Sequence, residues 1–184
     1  MSRLLKMYCA PALLFFLIGI AYRSYAGSDT LTVNVNWLYE NFPKKVELYE
    51  VDPENRLPLW RTESVAAGKA LPVGERIEGG KLVIKKGSRK WFVLAVKNDT
   101  EKPLYFFAAP HVVEPPAYSL GFKFKCLCIN HAYSVGAGET WYRVVQLIIN
   151  DNVVGDTLDV THSIIGIDKK RMENFKLKER LPSL

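Results

Sequence analysis

Reactive side chains are scarce in this chain. Its 184 residues include only three cysteines and three histidines, and no histidine pair has the HExxH spacing of a zinc protease. The sequence also lacks a glycine-rich phosphate loop and the Ser, His and Asp spacing typical of hydrolases. We therefore expect a protein that is not an enzyme, and we expect any chemistry to depend on the few cysteines and histidines.

Acidic residues are absent from residues 1–26. Arg3 and Lys6 precede an apolar run over residues 7–22, and small residues follow it. This pattern is typical of a secretory signal peptide or a short signal-anchor helix, so cleavage after Ala26 and retention as an anchor both fit. In either case we expect the rest of the chain to be exported, because a basic start stays on the cytoplasmic side.

No strong charge excess remains once this segment is set aside. Lys and Arg number 25 in the whole chain and three of them lie in the segment, which leaves 22 against 19 Asp and Glu. This balance argues against nucleic acid as a partner. The remaining excess lies in the basic tail, residues 168–184, where six Lys and Arg face three Asp and Glu. The tail predicts a solvated helix or a frayed end, or alternatively a docking element for a membrane surface or an acidic partner.

Short runs of β-branched and aromatic residues, separated by Gly, Pro, Asn and Asp, dominate the rest of the sequence. Residues 31–39 alternate between apolar and polar side chains, which is typical of a half-buried strand. The polar residues 52–80 predict an elaborated loop region. Eight runs predict an all-β domain over residues 27–167, a sandwich of two antiparallel sheets. The runs are 31–39, 45–51, 81–85, 90–98, 103–109, 121–130, 141–150 and 158–167.

Cys126 and Cys128 are the two cysteines of the predicted domain. In a strand they would point to one face, about 6.6–6.8 Å apart along it, which is at or beyond the limit for a relaxed disulfide. Two soft thiolates on one face suit Cu(I), and they suit Zn(II) less well because it usually takes four ligands. His131 at the strand end and His111 in a proline-rich loop are further candidate ligands. Alternatively, such cysteines pack as small hydrophobic residues and such histidines are structural. His162 alternates with apolar neighbours, and we interpret it as a packed or edge histidine.

A longer stretch around these cysteines has the order of a known family. Residues 85–152 contain a basic-Gly turn, a strand ending in Lys97 and Asn98, a Pro-containing segment and an aromatic approach to Cys-x-Cys. A Gly-Glu turn and an apolar strand follow. This order resembles the copper chaperones that assemble the copper B centre of cytochrome c oxidase, called CtaG in bacteria and Cox-eleven in mitochondria. The resemblance covers 68 of the 184 residues.

The resemblance implies an immunoglobulin-like β-sandwich that an N-terminal helix attaches to the inner membrane, facing the periplasm. It also implies that Cys126 and Cys128 bind Cu(I), that dimers share the metal, and that the recipient is a membrane copper enzyme, most simply a haem–copper oxidase subunit. The family has a further cysteine just beyond its anchor, whereas Cys9 here lies at the start of the apolar run. His131 and His111 are therefore the first candidates for an additional ligand.

Two other interpretations of the Cys-x-Cys pair stay open. In one, the domain is a non-catalytic accessory subunit of a membrane complex, and Cys126 and Cys128 do not bind metal. In the other, the pair is a thiol reductant that keeps another protein's copper site reduced. Exposure of the two thiols distinguishes a chaperone from a protein in which the cysteines are structural, because a chaperone is expected to have accessible thiols at the rim of the sheet.

Overall fold

The computed structural model describes residues 28–127 and 131–180. Within these residues the chain forms eleven strands in two facing sheets and one α-helix, so the predicted all-β class is confirmed. In this part of the chain, no helix has the length and apolar character needed to cross a membrane. The predicted signal or anchor segment and Cys128 lie outside the described residues.

Most of the strands follow one another with short connections, and the long ones lie in the loop region 52–80. The strands are β1 (Thr30–Glu40), β2 (Glu47–Glu50), β3 (Thr62–Val65), β4 (Lys81–Lys85), β5 (Arg89–Lys97), β6 (Leu104–Ala108), β7 (Val112–Glu114), β8 (Phe122–Lys125), β9 (Ala132–Val135), β10 (Thr140–Ile149) and β11 (Thr157–Ile167). The helix α1 (Lys169–Arg180) follows, and 3₁₀ turns precede β4 (Glu78–Gly80) and β8 (Pro116–Gly121).

The first sheet mixes parallel and antiparallel pairs. Its strand order is β4-β1-β11-β6-β9, and β7 also pairs with β11. β1 and β11 run parallel, with Thr32 opposite Thr157 and Glu40 opposite Ile165. The prediction of two antiparallel sheets is therefore wrong here, because alternation indicates which face a strand buries but not the direction of its neighbour.

The second sheet has the order β2-β5-β10-β3, and β8 also pairs with β10. All of its pairs are antiparallel. The alternating inner rows of both sheets meet in one apolar core, as the period of two requires. Members of this core include Leu31, Val33, Val35, Phe92, Leu94, Val96, Phe106, Trp141, Val145, Leu147, Leu158, Val160 and Ile164.

The loop region 52–80 covers the outer face of the second sheet. Leu57, Leu71 and Val73 pack there against a small second core that includes Val93 and Val144. The region contains the short strand β3, which extends the sheet beside β10. Because this cover buries the outer face of β5 and β10, those strands are nearly continuous apolar runs rather than simple alternations.

The predicted strand 121–130 ends earlier than expected. β8 stops at Lys125, and the chain bends at Cys126 and Leu127. Phe122 and Phe124 alternate along β8 and face the core, but Cys126 and Leu127 are both buried, at 5% and 1% exposed. The prediction of one regular strand through this stretch is therefore wrong at the bend, since two successive buried residues break the period of two.

The basic tail forms α1, which packs one face against the first sheet. Met172 is buried at 5% exposed, and the rings of Phe175 and Phe107 lie 5.5 Å apart. The guanidinium of Arg171 lies 5.3 Å from the centre of the Phe107 ring. Residues 169–180 of the tail thus form a docked helix, whose exposed side chains include Lys169, Lys170 and Lys176.

Candidate metal centre

One edge of the sandwich is crossed by the connection from β7 to β8. His111 lies just before β7, which pairs with β11 in the first sheet. Cys126 lies just after β8, which pairs with β10 in the second sheet. The crossover therefore brings two residues that are 15 positions apart in the chain to the same edge.

His162 reaches the same place from the first sheet. It is the central residue of β11, and it is fully buried in the inner row between Val160 and Ile164. Trp37 is its partner on the parallel strand β1. The two rings stack with centres 5.1 Å apart and planes 24° apart, so the orientation of the imidazole is fixed by packing.

The three side chains form a compact group, which we call the His-Cys-His cluster. The ligand atoms of His111, Cys126 and His162 all lie within 4.8 Å of one another. The sulfur of Cys126 is 3.8 Å from Nδ1 of His111. A metal with bonds of about 2.3 Å to sulfur and about 2.0–2.1 Å to nitrogen places such ligand atoms about 3.5–3.8 Å apart. The Cys126–His111 pair already has this separation, and the whole cluster, within 4.8 Å, reaches it with movements of about 1 Å.

The surroundings of the cluster are aromatic. The ring of His111 lies 5.8 Å from Phe122 and 5.9 Å from Phe124, and Phe124 lies 5.2 Å from His162. His111 is half-buried and is the member of the cluster nearest to solvent. An apolar shell of this kind limits the access of water to a bound metal.

The expectation of an accessible Cys126 at the sheet rim is not met, because its side chain is buried behind the crossover. The chain bends inward directly after β8, which turns the cysteine between the two sheets instead of leaving it on an open strand edge.

The structure brings together only some of the ligands predicted from the sequence. It brings His111 and Cys126 together, whereas His131 is exposed and lines a separate cavity of about 290 Å³ with Met172 and Lys176. Cys128 lies outside the described residues and stays a candidate on the basis of the sequence.

His162 was missed as a ligand by sequence reasoning. Its signal was present, since a histidine occupies a core-facing position of an otherwise apolar row. Alternation predicts which face of a strand is buried, but it does not predict which distant residues contact that face. The sequence alone therefore did not connect His162 with His111 and Cys126.

Comparison with known proteins finds one family whose model covers this centre. The model of a family described as "Domain of unknown function (DUF8709)" matches residues 31–167. The matched stretch runs from β1 to the end of β11 and includes the whole cluster and Cys128. No curated protein matches the chain significantly.

Proposed function

We propose that this chain, which belongs to the DUF8709 family, is a Cu(I)-binding protein that delivers copper to a membrane copper enzyme. The observation that carries the proposal is the His-Cys-His cluster, whose three ligand atoms lie within 4.8 Å of one another. The three residues come from separate parts of the chain, and the fold brings them together.

The ligand types favour a soft metal. A thiolate and two imidazoles suit copper and zinc, whereas calcium and magnesium prefer oxygen ligands. Cys128, two positions after Cys126, supplies a second thiolate in the proposed site, and thiolate ligands favour Cu(I) over harder ions. Two cysteines and two histidines also satisfy Zn(II), so zinc is the competitor against which copper has to be tested.

The proposed recipient rests on the sequence around the cluster. Residues 85–152 resemble the chaperones of the copper B centre, so we propose a haem–copper oxidase subunit as the recipient. The proposal includes an immunoglobulin-like type for the sandwich, a periplasmic location and attachment to the inner membrane through residues 1–26. Transfer proceeds by ligand exchange, in which groups of the recipient replace Cys126 and its partner ligands one at a time. No covalent catalysis is involved.

A second candidate function is an accessory subunit that uses the sandwich only for protein contacts. The burial of Cys126, at 5% exposed, favours it, because the cysteine then fills space among Phe122, Phe124 and the two histidines. In this case Cys126 and Cys128 do not bind metal.

A competition titration separates the two functions. The reduced full chain is purified in detergent without oxygen and titrated with Cu(I), and in parallel with Zn(II), against a chelator of known affinity. We expect tight Cu(I) binding that Cys126→Ser abolishes or weakens strongly. Cys9→Ser is the matched control, because it removes a cysteine outside the cluster. Wild-type affinity in Cys126→Ser, or no competition for Cu(I) by the wild-type chain, would contradict the proposal, and tighter binding of Zn(II) would assign a structural zinc site instead.

Delivery is tested in membranes of cells that make only one form of the protein. With Cys126→Ser, we expect the haem–copper oxidase to assemble with haem but without its copper B ion. Copper content is measured per haem after purification, beside cells that make Cys9→Ser. A full complement of copper in the Cys126→Ser cells would exclude the delivery role. Sedimentation of the chain with and without Cu(I) tests the dimer that the resemblance implies.

A further inference from the structure

Arg143 occupies an unusual position in β10. The inner row of this strand contains Trp141, Val145, Leu147 and Ile149, which are all at most 3% exposed. Arg143 belongs to the same row because it lies two positions after Trp141. A charged group at the inner face of a sheet is unfavourable unless hydrogen bonds or an opposite charge offset its loss of solvent. The guanidinium group of Arg143 therefore needs such partners.

The guanidinium group of Arg143 contacts the bend that contains Cys126. Its Nε donates a hydrogen bond to the carbonyl oxygen of Cys126, at 3.3 Å. Its second branch donates from Nη1 to Oγ1 of Thr62 on β3, at 2.6 Å. The two bonds hold the guanidinium between the edge strand β3 and the bend, and they fix the backbone of Cys126 from the side of the second sheet.

Tyr133 supports the same bend from β9. Its hydroxyl donates to the carbonyl oxygen of Leu127, at 3.4 Å, and the guanidinium carbon of Arg143 lies 5.5 Å from the centre of its ring. That distance allows a cation–π interaction. The Tyr133 ring is itself packed against Phe106 and Trp141, with centres 5.3 Å and 5.1 Å away. The carbonyls of two successive residues are thus held by an interacting Arg–Tyr pair.

We propose that Arg143, supported by Tyr133, is a positioning residue for the copper site. It holds the Cys126 backbone so that the sulfur faces His111 and His162 instead of solvent. It also places a positive charge beside the backbone of Cys126, which favours the thiolate form that binds Cu(I). This inference rests on the proposed Cu(I) function, and it adds a residue that does not itself bind the metal.

We expect replacement of Arg143 to lower the affinity of the protein for Cu(I). Residues that orient metal ligands typically change metal affinity by about 10- to 100-fold when they are replaced. Arg143→Met keeps the length of the side chain but removes its charge and both hydrogen bonds. Arg143→Lys keeps the charge but loses the planar fork that reaches two acceptors at once. Comparison of the two therefore separates the charge from the geometry.

The test measures Cu(I) affinity by chelator competition in the full chain. We expect Arg143→Met to bind about 10- to 100-fold more weakly than wild type, and Arg143→Lys to lie between them. Arg61→Met is the matched control, because Arg61 pairs with Glu63 on the outer side of β3 and has no bond to the bend in the described residues. X-ray absorption at the copper edge should show fewer or longer copper–sulfur bonds in Arg143→Met only, which a general loss of stability would not produce.

The outcomes separate this inference from the proposed function. If the wild-type chain does not bind Cu(I), both fail. If the wild-type chain binds and Arg143→Met binds equally well with an unchanged copper–sulfur signal, only the positioning role is overturned. If Arg143→Met does not fold, Arg143→Lys and Tyr133→Phe carry the test, because each keeps most of the buried side chain. Wild-type affinity in both of these variants overturns the role as well.

Discussion

Trp37 stacks on His162 at the inner face of two parallel strands. The indole N–H of Trp37 is buried and has no hydrogen-bond partner among the described residues. Its contact with His162 is therefore mainly the stacking of the two rings at 5.1 Å. A change in the electronic state of the imidazole, such as binding of a metal, acts directly on the emission of this indole.

We expect Cu(I) to change the tryptophan fluorescence of the protein in proportion to site occupancy. Trp37→Phe should remove most of the change, because Phe keeps an aromatic ring beside His162 but not the indole. Trp60→Phe serves as control, since Trp60 is 46% exposed and lies in the outer cover. An equal fluorescence response in Trp37→Phe would place the metal away from His162.

The candidate site could be predicted from the sequence only in part. Cys126 was predicted because its spacing from Cys128 is unusual, and His111 was a candidate because prolines fix its loop. His162 and Arg143 were not predicted, although each is a polar residue in a core-facing row. Such a residue signals a buried polar contact, but the contact itself depends on which strands face each other, and periodicity does not contain that information.

The turns at one end of the sandwich are tied together by a single side chain. Asn98 is fully buried at the end of β5. Its amide nitrogen donates to the carbonyl oxygens of Lys102, at 2.8 Å, and Gly136, at 2.9 Å. Its Oδ1 accepts from the backbone N–H of Thr100, at 3.1 Å. One residue thus connects the β5–β6 turn with the β9–β10 turn.

Asn98→Ala should lower the free energy of unfolding by about 2–3 kcal/mol, because it leaves buried carbonyl groups without their donor. The measurement is urea unfolding of the wild-type and variant chains. Asp99→Ala is the adjacent control: Asp99 is exposed and pairs with Lys44, and exposed ion pairs contribute only about 0–1 kcal/mol. A loss at Asn98 no larger than that at Asp99 would show that the two turns are held by other contacts.

The pairing of β3 with β10 contains a pH-sensitive carboxyl group, that of Glu63. Tyr142 donates a hydrogen bond to Oε2 of Glu63, at 2.7 Å, and Arg61 forms an ion pair with the same carboxylate. Hydrogen bonds from Tyr142 and then Arg61 lower the pKa of Glu63. Because the folded pKa lies below the unfolded value, this contribution to stability is present above the unfolded pKa and is lost as the pH falls through the folded one.

We therefore expect the midpoint of thermal unfolding to fall as the pH decreases below about 4.3, the usual pKa of an unfolded Glu. Glu63→Gln should show a shallower fall over the same range and a lower midpoint at neutral pH. Glu75→Gln is the control, because in the described residues the Glu75 carboxylate has no hydrogen bond or ion pair like those of Glu63. Parallel curves for wild type and Glu63→Gln would mean that other carboxylates dominate the acid transition.

Strand prediction succeeded for the long strands and for the shorter strands β4 and β6, but it missed β3, β7 and β9. The predicted bounds of β1, β5, β10 and β11 differ from the observed ones by one residue at most at each end. The strands β3, β7 and β9 have only three or four residues and mixed burial, so their sequences carry too little alternation to be recognised. Their formation depends on tertiary pairing with β10, β11 and β6, which propensity does not reveal.

At the scale of the whole molecule, the copper site would connect the two sheets. His162 belongs to the first sheet, and Cys126 follows a strand of the second. A ligand that binds only the folded state stabilises it by about 2.7 kcal/mol when its free concentration is 100 times its Kd. For a domain of this size, that corresponds to a rise of about 5–11 °C in Tm.

We expect this rise when Cu(I) is added at 100 times Kd, and its reversal when a stronger chelator is added. The rise should be absent in Cys126→Ser and complete in Cys9→Ser, as measured by thermal unfolding without oxygen. An equal rise in Cys126→Ser would mean that copper stabilises the fold at another place.

The parallel pairing of β1 with β11 also determines where the chain enters and leaves the sandwich. Both strands start at one end, so the described chain begins at Ser28 on that side, whereas α1 follows the other end of β11. Eleven residues of strand separate the two ends by about 36 Å. If the preceding segment holds the domain at a surface, the junction between β11 and α1 lies at the end of the sandwich remote from that surface.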